Sequence, residues 1–408
     1  MSAGAFQRTD LNAPHGEHAM LKSSVRARLL AEPDGLPLGD RHALRSRLAE
    51  ILADVAPLLP VRRVDPLLDE LVREVDGFGP IEPLLADPEI SEVMLNRPGS
   101  AFVERSGRLE RVDLDLDAGE ITRIAERIIA PLGLRLDRAS PIVDARLPDG
   151  SRLHAVLPPL AIDGPCVTIR RFCRHRLDLH DFDVDGDART LMNAAVRGGW
   201  NLLIAGATSA GKTTLLNTLA DVIDPGERLV TIEETAELVL AQPHVIRLEA
   251  RPPNSEGAGC VTVRDLVRAA LRMRPDRIVV GEVRGGEALD MLQALNTGHD
   301  GSLCTVHANG ADEALVRLET LALFSGVDLP VDAIRRQIGA AIDGVVFVTR
   351  DRDGRRCVHS LAEVPAGSCG TAIATRTILD RRGGELREVA APSRPLRRAA
   401  AEWPEAAA

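Results

Sequence analysis

The sequence is short of aromatic side chains: it contains no tyrosine, and phenylalanine and tryptophan together make up 2% of its residues. The cores of its domains must therefore be built from leucine, valine, isoleucine and alanine. Few rings are left to stack on nucleic-acid bases. The net charge of −10 gives no general excess of basic residues either, so we expect no stable complex with nucleic acid.

Cysteine pairs and long apolar runs are also missing. The six cysteines show no C-x-x-C spacing, which favours reduced thiols over a disulfide framework or a zinc site. The apolar run at 338–348 includes Asp343 and is too short to span a membrane. The first residues lack the apolar segment of a signal peptide. We therefore expect a cytoplasmic protein that meets a membrane only at its surface.

The most informative stretch matches the phosphate-binding pattern G-x-x-x-x-G-K-[ST] at every fixed position. Its glycines let backbone amides turn toward phosphate oxygens, Lys212 is placed to neutralise the β- and γ-phosphates, and the Thr213 hydroxyl is placed to bind Mg²⁺. An apolar strand at 201–205 precedes the loop and a helix follows it, which puts a phosphate at a helix N-terminus. The residues expected to contact a nucleoside triphosphate are Gly206, Ala207, Thr208, Ser209, Ala210, Gly211, Lys212, Thr213 and Thr214.

The remaining chain divides into segments of different pattern. Residues 1–40 mix glycine, proline, histidine and charge without a sustained period and are predicted to be a disordered arm. Apolar residues at helical spacing predict N-terminal helices over 41–76. Residues 77–180 alternate short strands and helices, which indicates a small α+β domain, and 175–186 are interpreted as a polar linker.

The last part of the chain has the regular pattern of an α/β domain. Strands separated by helices over 187–390 predict a doubly wound, mostly parallel sheet. Residues 391–408 are rich in alanine, proline and arginine and are expected to be frayed.

Two acidic sites lie at the ends of predicted strands. Glu233 and Glu234 follow the strand at 228–232, and Glu282 follows the strand at 277–280. Because ligands bind beyond the carboxyl ends of the strands in such a sheet, both sites should lie on the side of the phosphate loop. A solvated turn is the alternative for any single acid. Glu282 is the best candidate for positioning the attacking water.

A third site surrounds the predicted strand at 302–306. His299 precedes this strand and His307 ends it, an arrangement that fits a sensor of the γ-phosphate. A structural role remains an equal alternative for His299 and a weaker one for His307. Zinc is not expected, because no cysteine pair or third ligand has suitable spacing.

These segments occur in the order of the secretion/pilus ATPase superfamily. Residues 206–213, 231–238, 274–282 and 297–307 resemble its Walker A, Asp box, Walker B and His box. Upstream, 78–85, 147–154 and 167–172 resemble the CpaF-type branch, which powers tight-adherence (Tad/Flp) pili. The resemblance covers about 45–385 and implies a RecA-like P-loop NTPase core. It also implies ATP and Mg²⁺ as ligands, a hexamer, and docking to inner-membrane platform proteins.

The resemblance also implies roles for single residues. It makes Glu282 and Glu233 catalytic carboxylates, whereas Glu234 stands where the family usually has aspartate and its role is left open. Arg152, Arg170 and Arg171 resemble positions at which related motors carry catalytic arginines on the preceding domain. Neighbouring residues of a strand point to opposite faces, so at most one of Arg170 and Arg171 should act.

The sequence thus predicts a hexameric ATPase motor for tight-adherence pilus assembly or for secretion across the cell envelope, peripheral to the inner face of the cytoplasmic membrane. A conjugation-type secretion ATPase shares the same motifs. A small-molecule kinase would leave the histidine strand and the first domain without a role. A nucleic-acid motor is favoured only by the basic run at 264–277. A non-catalytic scaffold is not expected to keep Lys212, Thr213 and Glu282 together. The cargo and the direction of the motor stay open.

Overall fold

The computed structural model describes residues 15–31, 39–114, 116–171, 176–251, 253, 258–351, 353–365, 373–398 and 402–404. The chain forms two compact units, Met1–Cys173 and Arg174–Ala408. In the described ranges, no helix is both long and apolar enough to cross a lipid bilayer. Phe172, the last residue of the segment 167–172 that resembles the CpaF-type branch, and His175, the first residue of the predicted linker, lie outside these ranges.

The first unit begins with three packed helices: α1 (His15–Leu30), α2 (Arg41–Val55) and α3 (Val61–Asp76). Helix α1 corrects the expectation of a disordered arm for residues 15–30, whereas 1–14 and 32–38 of that arm lie outside the described residues. Its buried side chains Val25 and Leu29 pack against α2 and α3, and the Lys22 ammonium pairs with Glu70 and Glu74 of α3, at 2.6 Å from each. In the sequence, Leu21, Val25 and Leu29 at helical spacing were too weak a signal to predict this helix, because the charged partners of Lys22 lie about fifty residues away.

The rest of the first unit is an antiparallel sheet covered by a helix. Its elements are α4 (Glu82–Ala86), β1 (Ile90–Arg97), β2 (Ser100–Arg105), β3 (Arg108–Val112), α5 (Ala118–Ile129), β4 (Ile142–Arg146), β5 (Arg152–Val156) and β6 (Cys166–Arg170). The strand order is β3-β2-β1-β6-β5-β4. Strand β4 was not predicted, because only Val143 and Ala145 mark its buried face. The apolar face of α5 packs on the sheet, as its helical spacing requires.

The second unit confirms the predicted doubly wound α/β fold. Its elements are α6 (Gly186–Arg197), β7 (Leu202–Gly206), α7 (Lys212–Ala220), β8 (Leu229–Glu233), β9 (Val245–Glu249), α8 (Val263–Ala270), β10 (Arg277–Val280), α9 (Glu287–Leu295), β11 (Leu303–His307), α10 (Ala311–Leu323), α11 (Val331–Ala341), β12 (Gly344–Arg350), β13 (Arg356–Glu363), β14 (Arg376–Arg382) and β15 (Glu385–Glu388). Six parallel strands in the order β12-β7-β11-β10-β8-β9 form the centre, and β13, β14 and β15 extend it antiparallel. Apolar clusters fill the space between the sheet and its helices.

Two segments of this unit are more ordered than their composition indicates. In the predicted linker, Leu179, Phe182 and Val184 are buried in the core. In the tail, which we expected to be frayed, the Trp403 ring packs edge-on against Trp200 with 4.8 Å between ring centroids. Composition alone misses both, since the partners of each segment are distant in sequence.

Charged contacts hold the same tail. Arg397 pairs with Asp343 at 2.6 Å, and Arg398 pairs with Glu227 at 2.6 Å. Glu227 is also bound by the fully buried Arg277 at 2.6 Å. The tail is therefore part of the folded unit in the ranges 391–398 and 402–404.

Candidate functional site

The carboxyl ends of four neighbouring parallel strands gather the predicted chemistry at one edge of the sheet. Strands β7, β11, β10 and β8 are adjacent in that order. The phosphate loop follows β7, Glu282 follows β10, and Glu233 ends β8. His307 ends β11 in register with Gly206. The topological rule that predicted a common site from separate strand ends is therefore met in the structure.

The phosphate loop joins β7 to α7 through residues in the left-handed region. Ser209 has φ 59° and Gly211 has φ 100°, as a backbone nest for an anion needs. The Lys212 side chain is buried, and its ammonium donates to the carbonyls of Gly206 at 3.1 Å and Ala207 at 2.9 Å. Thr213 lies half-buried in the first turn of α7. A cation and a hydroxyl thus lie where the loop meets a helix N-terminus.

His307 connects the phosphate-loop lysine to Glu282. Its Nδ1 lies 3.3 Å from Lys212 Nζ, and its Nε2 lies 2.9 Å from Glu282 Oε1. The Glu282 contact has the distance of an ion pair but not the alignment of a hydrogen bond. Burial and the nearby Lys212 charge hold the pKa of His307 below its ordinary value. The ring is therefore neutral at pH 7 and can accept or donate a hydrogen bond.

Arg284 is a member of the site that the sequence analysis missed. Its guanidinium donates to Glu282 Oε2 at 2.7 Å and to Glu234 Oε2 at 2.8 Å. Burial raises the pKa of Glu282, but Arg284, His307 and Lys212 outweigh it and hold this pKa below the ordinary value, so Glu282 is a carboxylate at neutral pH. The position of Arg284 two residues after Glu282 was the available signal. Through this contact with Arg284, Glu234 connects the segment 231–238, the Asp box, to the loop that follows β10.

Glu233 has a different environment from Glu282. It is 3% exposed, and its Oε1 accepts hydrogen bonds from the backbone amides of Glu237 at 2.8 Å and Leu238 at 2.9 Å. Its Oε2 is buried with no hydrogen-bond partner in the described part of the chain. Burial raises the pKa of Glu233 to about 7 despite the two amides. One oxygen fixes the carboxyl group and the other is left to take a proton near neutral pH.

The structure does not bring His299 to this group. It precedes β11, whereas His307 ends that strand, so the two histidines lie at opposite ends. His299 Nδ1 lies 2.9 Å from the carbonyl of Ala294 at the end of α9, and the His299 carbonyl accepts a hydrogen bond from Ser302 at 2.7 Å. These contacts connect α9 to β11, and they favour a structural role for His299 over a role as γ-phosphate sensor.

The three candidate arginines lie at one end of the neighbouring strands β5 and β6 in the first unit: Arg152 begins β5, Arg170 ends β6, and Arg171 follows it. Arg152 and Arg170 are directly opposite each other in the antiparallel ladder, which places both side chains on the same face. Arg171 follows on the other side, and its guanidinium donates to the carbonyls of Asp87 and of Ile90, the latter at 2.8 Å. The prediction that one member of the pair acts stays a prediction, but these contacts favour Arg170 over Arg171.

Comparison with known proteins agrees with this geometry. A family model described as type II/IV secretion system protein matches residues 74–379. The chain is 42% identical over 303 residues to a putative conjugal transfer protein of Mycobacterium tuberculosis, covering 72% of this chain and 86% of that protein. It is 37% identical over 307 residues to the type IV secretion system protein PtlH of Bordetella pertussis, covering 66% and 88%.

Solved structures share the fold. The ATPase DotB of Yersinia pseudotuberculosis is 20% identical with a TM-score of 0.52, over 68% of this chain and 76% of that one. The pilus retraction motor PilT with bound ADP is 18% identical with a TM-score of 0.50, over 69% and 80%. The family match covers far more than half of the sequence, and its segments include every strand end that forms the site. The chain therefore belongs to the type II/IV secretion system family of ATPases.

Proposed function

We propose that this secretion ATPase hydrolyses ATP at the site formed by Lys212, Glu282, His307 and Glu233, and that it acts as a hexameric motor for assembly of a tight-adherence pilus. The convergence of these four side chains at the carboxyl ends of adjacent strands carries the first part of the proposal. The resemblance of the upstream segments to the CpaF-type branch supports the second part.

The side chains divide the chemistry between binding and water activation. Lys212 neutralises charge on the β- and γ-phosphates. Glu282 stays ionised and orients the attacking water, and Glu233, with its pKa near neutrality, accepts a proton from it. His307, between Lys212 and Glu282, senses the γ-phosphate. Phosphoryl transfer needs mainly such positioning and charge stabilisation.

The residues present also fit a Mg²⁺ ion that arrives with the nucleotide. The Thr213 hydroxyl lies in the first turn of α7, and Glu282 Oε1 is a buried oxygen without a hydrogen-bond partner in the described ranges. Oxygen ligands from one hydroxyl, waters and phosphates are what Mg²⁺ prefers. When bound, the ion neutralises developing charge on the phosphate oxygens.

We further propose that Arg152 and Arg170 stabilise the γ-phosphate during transfer. They share one face of the sheet, and Arg171 on the other side donates to backbone carbonyls of its own unit. Arg152→Ala and Arg170→Ala should each lower kcat by at least about 10-fold with ADP affinity retained. Arg171→Ala should instead lower the thermal stability. Parent kcat in both Arg152→Ala and Arg170→Ala would contradict this assignment.

A phosphate-release assay with matched variants tests the proposed reaction. Lys212→Ala should lose nucleotide binding, and Glu282→Gln should bind but not turn over. Phosphate released in water, without transfer to an added acceptor and without stimulation by DNA, excludes the kinase and the nucleic-acid motor. Particle mass with and without ATP tests the hexamer, and a monomer in both states would contradict it.

The cellular role needs a separate experiment, because the relatives named above include conjugal transfer proteins. Cells carrying Glu282→Gln should lose surface pili while plasmid transfer continues. Pili with lost plasmid transfer would favour the conjugation-type motor instead. Cross-linking in the same cells should recover inner-membrane platform proteins at the cytoplasmic face of the membrane if the proposed partners are right.

A further inference from the structure

A hairpin distant in sequence flanks the phosphate loop. Strand β12 runs parallel to β7 and directly beside it, with Phe347 in register with Ala205. Its last residue, Arg350, therefore lies alongside the loop that follows β7. Strand β13 returns antiparallel and places Arg356 directly opposite Arg350. The two side chains share a face of the hairpin, because directly paired residues of an antiparallel ladder point the same way.

Both arginines touch the phosphate loop. The Arg350 guanidinium donates through Nε to the carbonyl of Ser209 at 2.7 Å. The stem of Arg356 lies over Gly211, since a Cβ added to that glycine would be 2.7 Å from Arg356 Cδ. Arg356 Nη1 then lies 3.4 Å from the Thr214 hydroxyl, in the first turn of α7. The hairpin thus brings a guanidinium to the helix N-terminus where phosphates bind.

The charge arrangement favours an anion at this place. Like charges directly opposite each other in a ladder are destabilising, and here two arginines are so paired. The buried Lys212 and the amino end of α7 add more positive potential to the same loop. A guanidinium matches phosphate oxygens with a fork of donors, so a phosphate group fits this cluster of positive charge.

We propose that Arg356 binds the α- and β-phosphates of the nucleotide, which are the two phosphates that the loop backbone cradles. Arg350 supports this contact by binding the loop at the Ser209 carbonyl. This inference rests on the proposed nucleotide site. Because ATP and ADP both carry these phosphates, the contact contributes equally to the affinity of both and leaves the chemical step unchanged. The hairpin is then a second wall of the binding site, built from residues about 140 positions after the phosphate loop.

Binding measurements on the full chain test the proposal. Arg356→Ala should weaken the binding of ADP and of a non-hydrolysable ATP analogue by the same factor, about 10- to 100-fold. This is the usual effect of removing a hydrogen bond to a charged group. Competition by inorganic pyrophosphate should weaken by a similar factor. Because pyrophosphate has phosphates but neither base nor ribose, its weaker competition would place the lost contact at the phosphates. Arg356→Lys should restore part of the affinity. Arg355→Ala, on the exposed turn of the same hairpin, is the matched control and should bind as the parent does.

Three results would overturn the proposal. Parent-like ADP affinity in both Arg356→Ala and Arg356→Gln would show that the side chain makes no contact. A loss for the ATP analogue alone would place the contact at the γ-phosphate. Unchanged competition by pyrophosphate with weaker ADP binding would place it at the base or ribose. Lys212→Ala separates this inference from the proposed function. If Lys212→Ala loses ADP binding while Arg356→Ala keeps it, the nucleotide site stands and the role of the hairpin in binding is excluded.

Discussion

Replacing Glu233 by glutamine should remove activity and, at the same time, change how stability depends on pH. Burial raises the pKa of this carboxyl from 4.5 to about 7. A tenfold change in an acid dissociation constant corresponds to about 1.4 kcal/mol, so the ionised form is disfavoured in the folded state by about 3 kcal/mol. A raised pKa means that the stabilising contribution is present below the unfolded-state pKa and is lost as pH rises through the folded-state pKa.

This sign gives a measurable difference between two pH values. At pH 8 the parent carries the full penalty of about 3 kcal/mol, whereas at pH 5 less than about 1 kcal/mol remains. Glu233→Gln has no charge to ionise, so its stability relative to the parent should improve by about 2 kcal/mol or more between pH 5 and pH 8. If the new glutamine amide finds no hydrogen-bond partner, the resulting loss of stability is the same at both pH values and cancels in this comparison. Thermal unfolding of both proteins at the two pH values measures this difference.

Turnover gives the second half of the test. Loss of a general base lowers kcat/KM by about 100- to 10,000-fold. The parent's kcat/KM, which reports groups of the free enzyme, should rise with pH through about 7. Glu249→Gln is the matched control, because Glu249 holds the corresponding position on the neighbouring strand β9. Parent-like turnover in Glu233→Gln, or a stability difference that is equal at pH 5 and pH 8, would refute the reasoning.

Two further predictions concern residues that the structure added. Arg284→Ala should lower kcat by up to about fivefold with ADP affinity unchanged. The reason is that the ion pair between the exposed Arg284 and Glu282 holds the Glu282 carboxylate in place. Adding Glu234→Ala should have a less than additive effect on kcat, and full additivity would show that the pair does not act as a unit. Removing residues from 391 onward should lower the free energy of unfolding by about 3 kcal/mol or more, because the buried Asp343 loses its ion-pair partners Arg394 and Arg397. An unchanged melting temperature would contradict the packed tail.

The parts of the site that could be predicted lie in contiguous motifs. The phosphate loop sits between a strand and a helix whose apolar patterns are local. Glu233 and Glu282 end buried strands, and the geometry of parallel sheets then brings such strand ends together. His307 was found for the same reason. Each inference needed only a short window of sequence and one topological rule.

The parts that were missed depend on contacts between distant residues. Arg284 meets Glu234 across fifty positions, and Arg356 meets Thr214 across 142. Arg356 does not differ locally from a solvated surface residue, and the only local signal for Arg284 was its position two residues after Glu282. The tail was misjudged likewise, because Trp200 and Trp403 find each other only in the folded unit. For His299 the motif alone did not decide between a sensor and a structural role, and its position before β11 places it away from the phosphate loop of its own chain.

Single-turnover phosphate release by Glu282→Gln, with ATP binding measured on the same preparation, tests whether this strand edge is the centre of ATP hydrolysis. We expect parent-like ATP affinity, because Lys212 and the loop are intact, and hydrolysis at least about 100-fold slower, because the carboxylate that orients the water is gone. Hydrolysis at the parent rate would contradict the assignment of this strand edge as the centre of ATP hydrolysis.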